Sequence, residues 1–256
     1  MTAIDVFYRI AGMSNLRFFS PVDLPLASNV KLSEDAAAHA TRALRLEVGD
    51  SIQLFNGDGL DYICELISVK KNEVIAKVNA SQICTTESTL NITLLQGISS
   101  GDRMDYTIQK AVELGVKKIQ PIATERSVVK LSAERAEKRI EHWQNIAISA
   151  CEQCGRATIP TLLAPKTLAN WLIANSQANA TRILLNPVGA KRLAEIAQPS
   201  GEIQLLIGAE GGLSPAEINL AISQGFQSVI LGPRILRTET AGPTAIATLQ
   251  ALWGDF

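Results

Sequence analysis

A short segment near the C-terminus combines the residue types of a ligand-binding loop. Residues 207–212 read IGAEGG and place three glycines around the single carboxylate of Glu210. Glycine permits positive φ and a close approach of backbone to ligand. The spacing is neither that of a phosphate loop nor that of a dinucleotide fingerprint, and Glu210 would repel a phosphate. A ligand with a cationic centre, such as a sulfonium, suits this segment better; the structural alternative is a tight turn between a strand and a helix.

A second segment, residues 231–241, concentrates charged and hydroxyl side chains in one connection. It reads LGPRILRTETA and carries Arg234, Arg237 and Glu239 directly before an apolar helical pattern. A connection between a strand and a helix that has no functional role needs only a few polar residues. These side chains therefore have the composition of a site, and the alternative is a cluster of ion pairs on the surface.

The elements around these segments predict where they meet. From residue 91 onward, short apolar runs alternate with helical patterns, as in NITLLQGI, KKIQPIA, RILLNP, EIQLLIG and QSVILG. This rhythm predicts a parallel α/β sheet covered by helices on both faces. Ligands of such sheets bind outside the carboxyl ends of the strands. Residues 185–187 end a third strand, so three loops are expected to meet. Helices are expected at 102–114, where Gly115 would end the helix, and at 132–154. A third is expected after the N-cap Ser214, with Glu217 completing a capping box.

The first third of the chain has a different pattern. SIQLFN (51–56), DYICELISV (61–69) and EVIAKVNA (73–80) are strand-like and separated by turn signals, which indicates a β meander or small barrel. One helix interrupts it, with Ser33 as N-cap and an apolar stripe of Ala36, Ala40, Ala43 and Leu44. We predict an N-terminal extension (1–15), a β domain (16–86) and an α/β domain (87–256).

Composition excludes several classes of protein. The chain has 256 residues, a formal net charge of −1 and four cysteines. It holds no apolar run long enough for a membrane span, no secretory signal is expected, and four cysteines in a chain of this length suggest a reducing cytoplasm. Because the net charge is close to zero, nucleic-acid binding would depend on local basic patches.

Several ordered motifs resemble one family. RFFSP, HATRALRLEVGD (39–50), GDRMDYTIQKAVELGV (101–116), ERSVVKL (125–131), AISACEQCGR (147–156), IGAEGGLSPAEI and LGPRILRTETA are similar to the trefoil-knotted (SPOUT) methyltransferases. Within them, the match is to the bacterial 16S rRNA uridine-N3 methyltransferases. Ala209 departs from the pattern, since the family usually has Pro there.

The resemblance implies a fold and a reaction. The fold class would be α/β, with a C-terminal trefoil-knotted parallel sheet and a small N-terminal PUA-like β-barrel that helps to bind RNA. The cofactor would be S-adenosyl-L-methionine, without a metal. The protein would act as a homodimer and methylate N3 of one uridine in 16S rRNA, in naked RNA or in the small ribosomal subunit.

The resemblance also assigns cofactor residues in the three loops. Backbone and side chains there would cradle the adenosine and close over it. The expected set is Leu185, Asn186, Pro187, Ile207, Gly208, Gly211, Gly212, Leu231, Gly232, Leu236, Thr238, Thr240 and Ala241.

Five residues are candidates for catalysis. Uracil N3 is a poor nucleophile until its proton leaves, and negative charge then spreads to O2 and O4. An arginine fork can face such a carbonyl edge, which nominates Arg103, Arg234 and Arg237. Glu210 or Glu239 could orient an arginine or accept the proton. The sequence does not rank them.

RNA contacts are expected from six residues. Arg42 and Arg45 are predicted to face the same way on one helix, or else to form a solvated helix face. Glu152 and Gln153 are further candidates in the family pattern. The six expected contacts are Arg17, Phe18, Arg42, Arg45, Arg126 and Arg156.

Two other features have structural interpretations. Cys151 and Cys154 form a lone C-x-x-C on a predicted helix, too few ligands for a structural zinc site. His142 is interpreted as a surface residue. Alternative functions are methylation of a ribose 2′-oxygen or of guanosine N1 by the same fold, and a non-catalytic RNA-binding assembly factor.

Overall fold

The protein, analysed as a computed structural model, consists of two compact units. The first contains residues 16–87 and 148–159, and the second contains 88–147 and 160–256. The expected extension at 1–15 lies outside the described residues. The structure describes residues 16–71, 73–127, 133–176, 179–188 and 191–256.

The first unit is built on a five-stranded sheet with the order β1-β3-β4-β5-β2. Its three long strands pair antiparallel, as the alternating patterns predicted, while β1 pairs parallel with β3. Phe18, Ile52, Leu54 and Leu66 point into its core. The strands are β1 (Arg17–Phe19), β2 (Asn29–Lys31), β3 (Ser51–Phe55), β4 (Leu60–Lys70) and β5 (Glu73–Ile83).

A short helix, α1 (Glu34–Ala38), packs on this sheet. The Ser33 hydroxyl accepts a hydrogen bond from the Ala36 N–H, so the predicted N-cap is confirmed. Ala36 and Ala40 are buried as expected, whereas Ala43 is exposed and the predicted stripe is wrong there. The cause is a change of pitch, because the helix continues as a π-helical turn over His39–Ala43.

The second unit is built on an eight-stranded sheet in which every pairing is parallel. The order is β11-β13-β10-β12-β6-β7-β8, with β9 also pairing with β7. The predicted parallel α/β sheet is therefore confirmed; the trefoil knot stays a prediction. The strands are β6 (Asn91–Gly97), β7 (Lys118–Ala123), β8 (Thr161–Leu162), β9 (Lys166–Thr167), β10 (Ala180–Leu185), β11 (Lys191–Arg192), β12 (Glu202–Ile207) and β13 (Gln227–Ile230).

Helices connect these strands, and the expected signals delimit them. Ser214 accepts a hydrogen bond from the Glu217 N–H, and the Glu217 carboxylate accepts one from the Ser214 N–H, which confirms the predicted capping box. Gly115, with φ +84°, ends the first helix as predicted. The helices are α2 (Asp102–Glu113), α3 (Ala133–Cys154), α4 (Leu168–Ala174), α5 (Pro215–Ser223) and α6 (Thr238–Trp253).

None of the helices in the described ranges has the length and apolar character needed to cross a membrane.

Candidate active site

A cleft of about 650 Å³ opens where three neighbouring strands of the second unit end. The loops after β10, β12 and β13 form its walls, because parallel strands present their carboxyl ends at one edge of a sheet. Its lining includes Leu185, Asn186, Pro187, Ile207, Gly208, Glu210, Gly211, Gly212, Leu236, Arg237, Thr238, Glu239, Ala241, Arg103 and Arg126.

A smaller cleft of about 100 Å³ adjoins the first and shares Leu185, Asn186, Pro187, Ile235 and Leu236 with it. It adds Leu231, Gly232 and Arg234 to the site. Together the two clefts collect the expected cofactor residues with one exception. Thr240 lines neither of them; it lies in the first turn of α6 and is exposed. Its expected role in closing the pocket stays a prediction.

The loop after β12 is a closed turn. The Gly212 N–H donates to the Ala209 carbonyl oxygen at 2.8 Å, and Gly212 has φ +68°, which favours glycine. A Cβ on Gly208 would lie 2.8 Å from the backbone carbon of Gly212. Gly208 thus allows the loop to fold onto itself. A larger side chain there would first collide with the loop, and not with a ligand.

The end of β6 packs directly against this loop. Any side chain on Gly97 would overlap the backbone of Gly208 and Ala209. The neighbouring Gln96 is fully buried, and its Nε2 donates to the Thr238 hydroxyl at 2.9 Å. Thr238 in turn donates to the Gly208 carbonyl oxygen at 2.6 Å. This chain of hydrogen bonds ties two of the three loops to the central strand.

Arg103 lies between two carboxylates at the cleft. Its Nη1 donates to Glu210 Oε1 at 3.1 Å and to the Ser100 hydroxyl at 3.1 Å. Its Nε is 3.7 Å from Glu239 Oε1. The Arg103 side chain keeps 42% of its surface exposed, so the guanidinium is held in place and still faces the cleft.

The Glu210 carboxylate is fixed by several donors. Its Oε1 accepts from the Ser100 N–H and from the Ser100 hydroxyl, both at 2.8 Å, as well as from Arg103. Partial burial acts to raise the pKa of Glu210, but these hydrogen bonds outweigh it and hold the pKa below its ordinary value. Glu210 is therefore ionised at neutral pH and joins the glycine loop to the start of α2.

The other arginines of the site have a different environment. Arg234 and Arg237 are exposed, and within the described part of the chain no acidic side chain pairs with either guanidinium. Arg126, expected to contact RNA, lines the large cleft, and its Nη1 is 3.4 Å from the Gly211 carbonyl oxygen. Among the predicted catalytic arginines, Arg103 is the one that other side chains orient.

Two expected RNA contacts in the first unit are wrong, because their side chains are buried. The Arg17 side chain is 2% exposed, pairs with Asp61 at 2.7 Å and lies 4.0 Å above the ring centre of Phe55. It also donates to the carbonyl oxygens of Cys151 and Arg156. Phe18 is 1% exposed in the core. A guanidinium with these partners stabilises the unit and cannot reach a phosphate.

Arg156 is a third incorrect assignment. It is buried, and both its Nε and its Nη2 donate to one oxygen of Glu87. The other oxygen of Glu87 accepts from the Thr158 N–H. Glu152 likewise accepts the Phe19 N–H at 2.9 Å. Arg17 and Glu152, which lie in segments that resemble the family, therefore join segment 148–159 to the β sheet of the first unit.

Arg42 and Arg45 are both exposed, as RNA contacts must be, but they do not share a helix. The π-helical turn ends at Ala43, and Arg45 follows with φ +53°. The predicted three-residue helical spacing is therefore wrong, because Arg45 itself adopts the left-handed conformation. Whether they contact RNA stays a prediction.

Sequence reasoning did not identify Gln96, Gly97 or Ser100. Gln96 and Gly97 are the last residues of the buried strand β6, and Ser100 lies between that strand and α2. Their position at the carboxyl end of a central strand was the available signal.

The cysteines and His142 have structural surroundings. Cys151 is fully buried, and burial raises the pKa of its thiol to about 12. His142 is largely exposed and pairs with Asp105 at 2.8 Å. Within the described ranges, no three His, Cys, Asp or Glu side chains are grouped so that they could hold a metal ion.

Comparison with known proteins places this site in a family. The model of an RNA methyltransferase domain matches residues 86–250, and that of an RNA methyltransferase PUA domain matches residues 32–79. The chain belongs to the RNA methyltransferase family. It is 35% identical to the Ribosomal RNA small subunit methyltransferase E of Buchnera aphidicola over 94% of both chains. The Bacillus subtilis protein of the same name is 30% identical over 88% of this chain and 90% of that protein.

Two solved structures of methyltransferases are similar throughout. The Neisseria gonorrhoeae Ribosomal RNA small subunit methyltransferase E, bound to S-adenosyl methionine, has a TM-score of 0.87 and 42% identity over 94% of this chain and 98% of that chain. A methyltransferase from Legionella pneumophila, in complex with the same cofactor, has a TM-score of 0.89 and 38% identity over 94% and 99% of the two chains. Both fold and sequence therefore place this chain among the RNA methyltransferases.

Proposed function

We propose that this protein is an S-adenosylmethionine-dependent methyltransferase that acts on N3 of a uridine in the 16S rRNA of the small ribosomal subunit. The observation that carries the proposal is the arginine held between two carboxylates at a glycine-walled cleft. A relative that aligns over 94% of both chains is named as a small-subunit rRNA methyltransferase. Two similar solved structures contain S-adenosylmethionine.

The chemistry of the cleft fits S-adenosylmethionine. Apolar side chains from the ends of β10 and β12, Leu185 and Ile207, with Leu236 suit the adenine ring, and the glycine loop brings backbone groups close to a ligand. Glu210 places negative charge at the glycine loop, where a sulfonium would be attracted. When bound, the cofactor supplies a methyl group on a positively charged sulfur. The residues of the cleft would hold it beside the substrate and exclude water.

The same cleft fits an oxygen-rich pyrimidine edge. Removal of the N3 proton of uracil leaves negative charge on the neighbouring carbonyl oxygens, and the guanidinium of Arg103 can donate to one of them. Each unit by which the site lowers the pKa of N3 corresponds to about 1.4 kcal/mol of differential stabilisation. Exposed Arg126, Arg234 and Arg237 at the rim are available for phosphate contacts.

We further propose a homodimer in the cytoplasm. The apolar side chains of α6, such as Ile246 and Leu249, are packed inside the chain itself and are not available to a second subunit. Two others at the rim of the cleft, Val188 and Ile235, are each 83% exposed and are better candidates for a subunit interface. Light scattering at micromolar concentration tests this; a monomeric mass contradicts it.

Mass spectrometry of ribosomal RNA nucleosides tests the reaction. Small-subunit RNA from cells that lack the protein is incubated with the purified protein and S-adenosylmethionine, as naked RNA and as assembled subunits. We expect one equivalent of N3-methyluridine, and comparison of the two substrates identifies the preferred one. A methyl group on a ribose oxygen or on guanosine N1 would contradict the assigned atom, and no methyl group would favour an assembly factor.

A further inference from the structure

We infer that the two carboxylates beside Arg103 have different roles: Glu210 is a positioning residue that fixes the guanidinium, and Glu239 receives the proton of the substrate. The inference rests on the proposed function. It separates two residues that the sequence left equivalent.

Glu210 is a poor proton acceptor, because hydrogen bonds to one of its oxygens stabilise the ionised carboxylate. Three donors converge on its Oε1, two from Ser100 and one from Arg103, at 2.8, 2.8 and 3.1 Å. A proton on this carboxylate would weaken its bonds to those donors. The bonds from Ser100 connect segments that are 110 positions apart in the chain. Protonation of Glu210 would thus loosen both the loop after β12 and the start of α2.

These contacts also determine how Arg103 is presented. Glu210 and Ser100 hold Nη1, and Glu239 faces Nε. Among the described residues, the partners of the Arg103 guanidinium contact Nη1 and Nε, and none contacts Nη2. The guanidinium is thus anchored on one side and can donate to a substrate carbonyl oxygen on the other.

Glu239 has fewer donors in contact with its carboxylate than Glu210 has. Its one close charged partner among the described residues is Arg103, and the 3.7 Å separation is longer than a good hydrogen bond. Its side chain is 19% exposed and lines the same cleft, so it is partly buried and can be reached by a substrate. It lies at the first turn of α6, directly after Thr238, whose hydroxyl is tied to Gly208. Its backbone is thereby fixed while its carboxylate keeps unused acceptor positions.

The proton balance is simple. The N3–H bond of uracil breaks and its proton goes to a carboxylate oxygen of Glu239. The N3 electron pair forms the bond to the methyl carbon, and the electrons of the broken carbon–sulfur bond remain on sulfur. Arg103 stays protonated throughout and stabilises the charge on the uracil oxygens.

Four variants test the division of roles: Glu210→Gln, Glu210→Ala, Glu239→Gln and, as a control, Glu113→Gln on the same helix as Arg103. Glutamine at 210 keeps an oxygen that can accept from Ser100 and Arg103, whereas alanine does not. Single-turnover methylation, calorimetric binding of S-adenosylmethionine and thermal unfolding are measured for each variant.

We expect Glu239→Gln to keep cofactor binding within about threefold and to lose methylation by about 10² to 10⁴, the usual contribution of a general base. Glu210→Gln should lose at most about tenfold, and Glu210→Ala at least ten times more than that. Equal, severe losses in Glu210→Gln and Glu210→Ala, with Glu239→Gln active, would overturn the inference. Failure of the proposed function is distinguishable, because the wild-type protein would then form no N3-methyluridine.

Discussion

The Thr238 hydroxyl donates a hydrogen bond of 2.6 Å to the carbonyl oxygen of Gly208. This contact joins the loop before α6 to the glycine loop after β12. Gln96, fully buried in the central strand β6, donates to the same hydroxyl. The glycine loop and the loop before α6, both predicted from the sequence to bind a ligand, are therefore linked to each other through Thr238 and to strand β6 through Gln96.

Thr238→Val should separate the two loops without changing the size of the side chain. It leaves the Gly208 carbonyl oxygen and one of the two Gln96 amide N–H groups without their partner, at a cost of about 1–3 kcal/mol for each buried group. We expect the dissociation constant of S-adenosylmethionine to rise by at least about tenfold in calorimetry. Thr238→Ser keeps the hydroxyl and should bind within about threefold of wild type; equal affinity of Val and Ser variants would contradict the role of the hydroxyl.

Gly208→Ala should destabilise the second unit because the new Cβ lies 2.8–2.9 Å from the backbone of Gly212 and Leu213. The expected loss in the free energy of unfolding is about 1–3 kcal/mol, as for overpacking. Gly232→Ala is the matched control, since its Cβ meets no atom within 4 Å. Denaturant unfolding compares the two, and similar midpoints would show that the loop has room to adjust.

Arg17→Met should destabilise the first unit and not act primarily on RNA binding. Removal of the guanidinium leaves Asp61 buried and uncompensated, which costs about 3–5 kcal/mol. Arg42→Met, at an exposed position, should change stability by about 0.5 kcal/mol or less. Thermal unfolding of both variants checks this. A normal melting temperature with weakened RNA binding in Arg17→Met would restore its expected role as an RNA contact.

Charge reversal at Arg42 and Arg45 together should weaken RNA binding and leave cofactor binding intact. Each lost phosphate contact should flatten the dependence of log K on log salt by up to about one unit. Binding is measured by fluorescence anisotropy at several salt concentrations. If the double variant binds and methylates RNA normally at physiological salt, both arginines are ordinary solvated side chains.

The Cys151 thiol should resist alkylation in the native protein at pH 8. Burial raises its pKa to about 12, so about one molecule in ten thousand carries the reactive thiolate at that pH. Peptide mass spectrometry after treatment with iodoacetamide should detect label on Cys151 only after unfolding. Rapid native labelling would mean that segment 148–159 opens readily.

Features that depend on neighbouring residues could be predicted from the sequence. The parallel sheet, the helix with Gly115 at its end and the capping box of Ser214 and Glu217 all follow from periodicity and local hydrogen bonding. The three loops of the site could be located for the same reason, because strands of one parallel sheet end at one edge. The resemblance to a family added the cofactor and the reaction.

Contacts between distant residues required the folded chain. Arg17 and Arg156 have the same side chain as Arg42, and only burial beside Asp61 and Glu87 distinguishes two structural arginines from an exposed one. Likewise, Arg103 and Glu210 are 107 residues apart. Side-chain type and spacing specify which groups a segment offers, but their partners, and hence their charge state and role, depend on which segments the sheet places side by side.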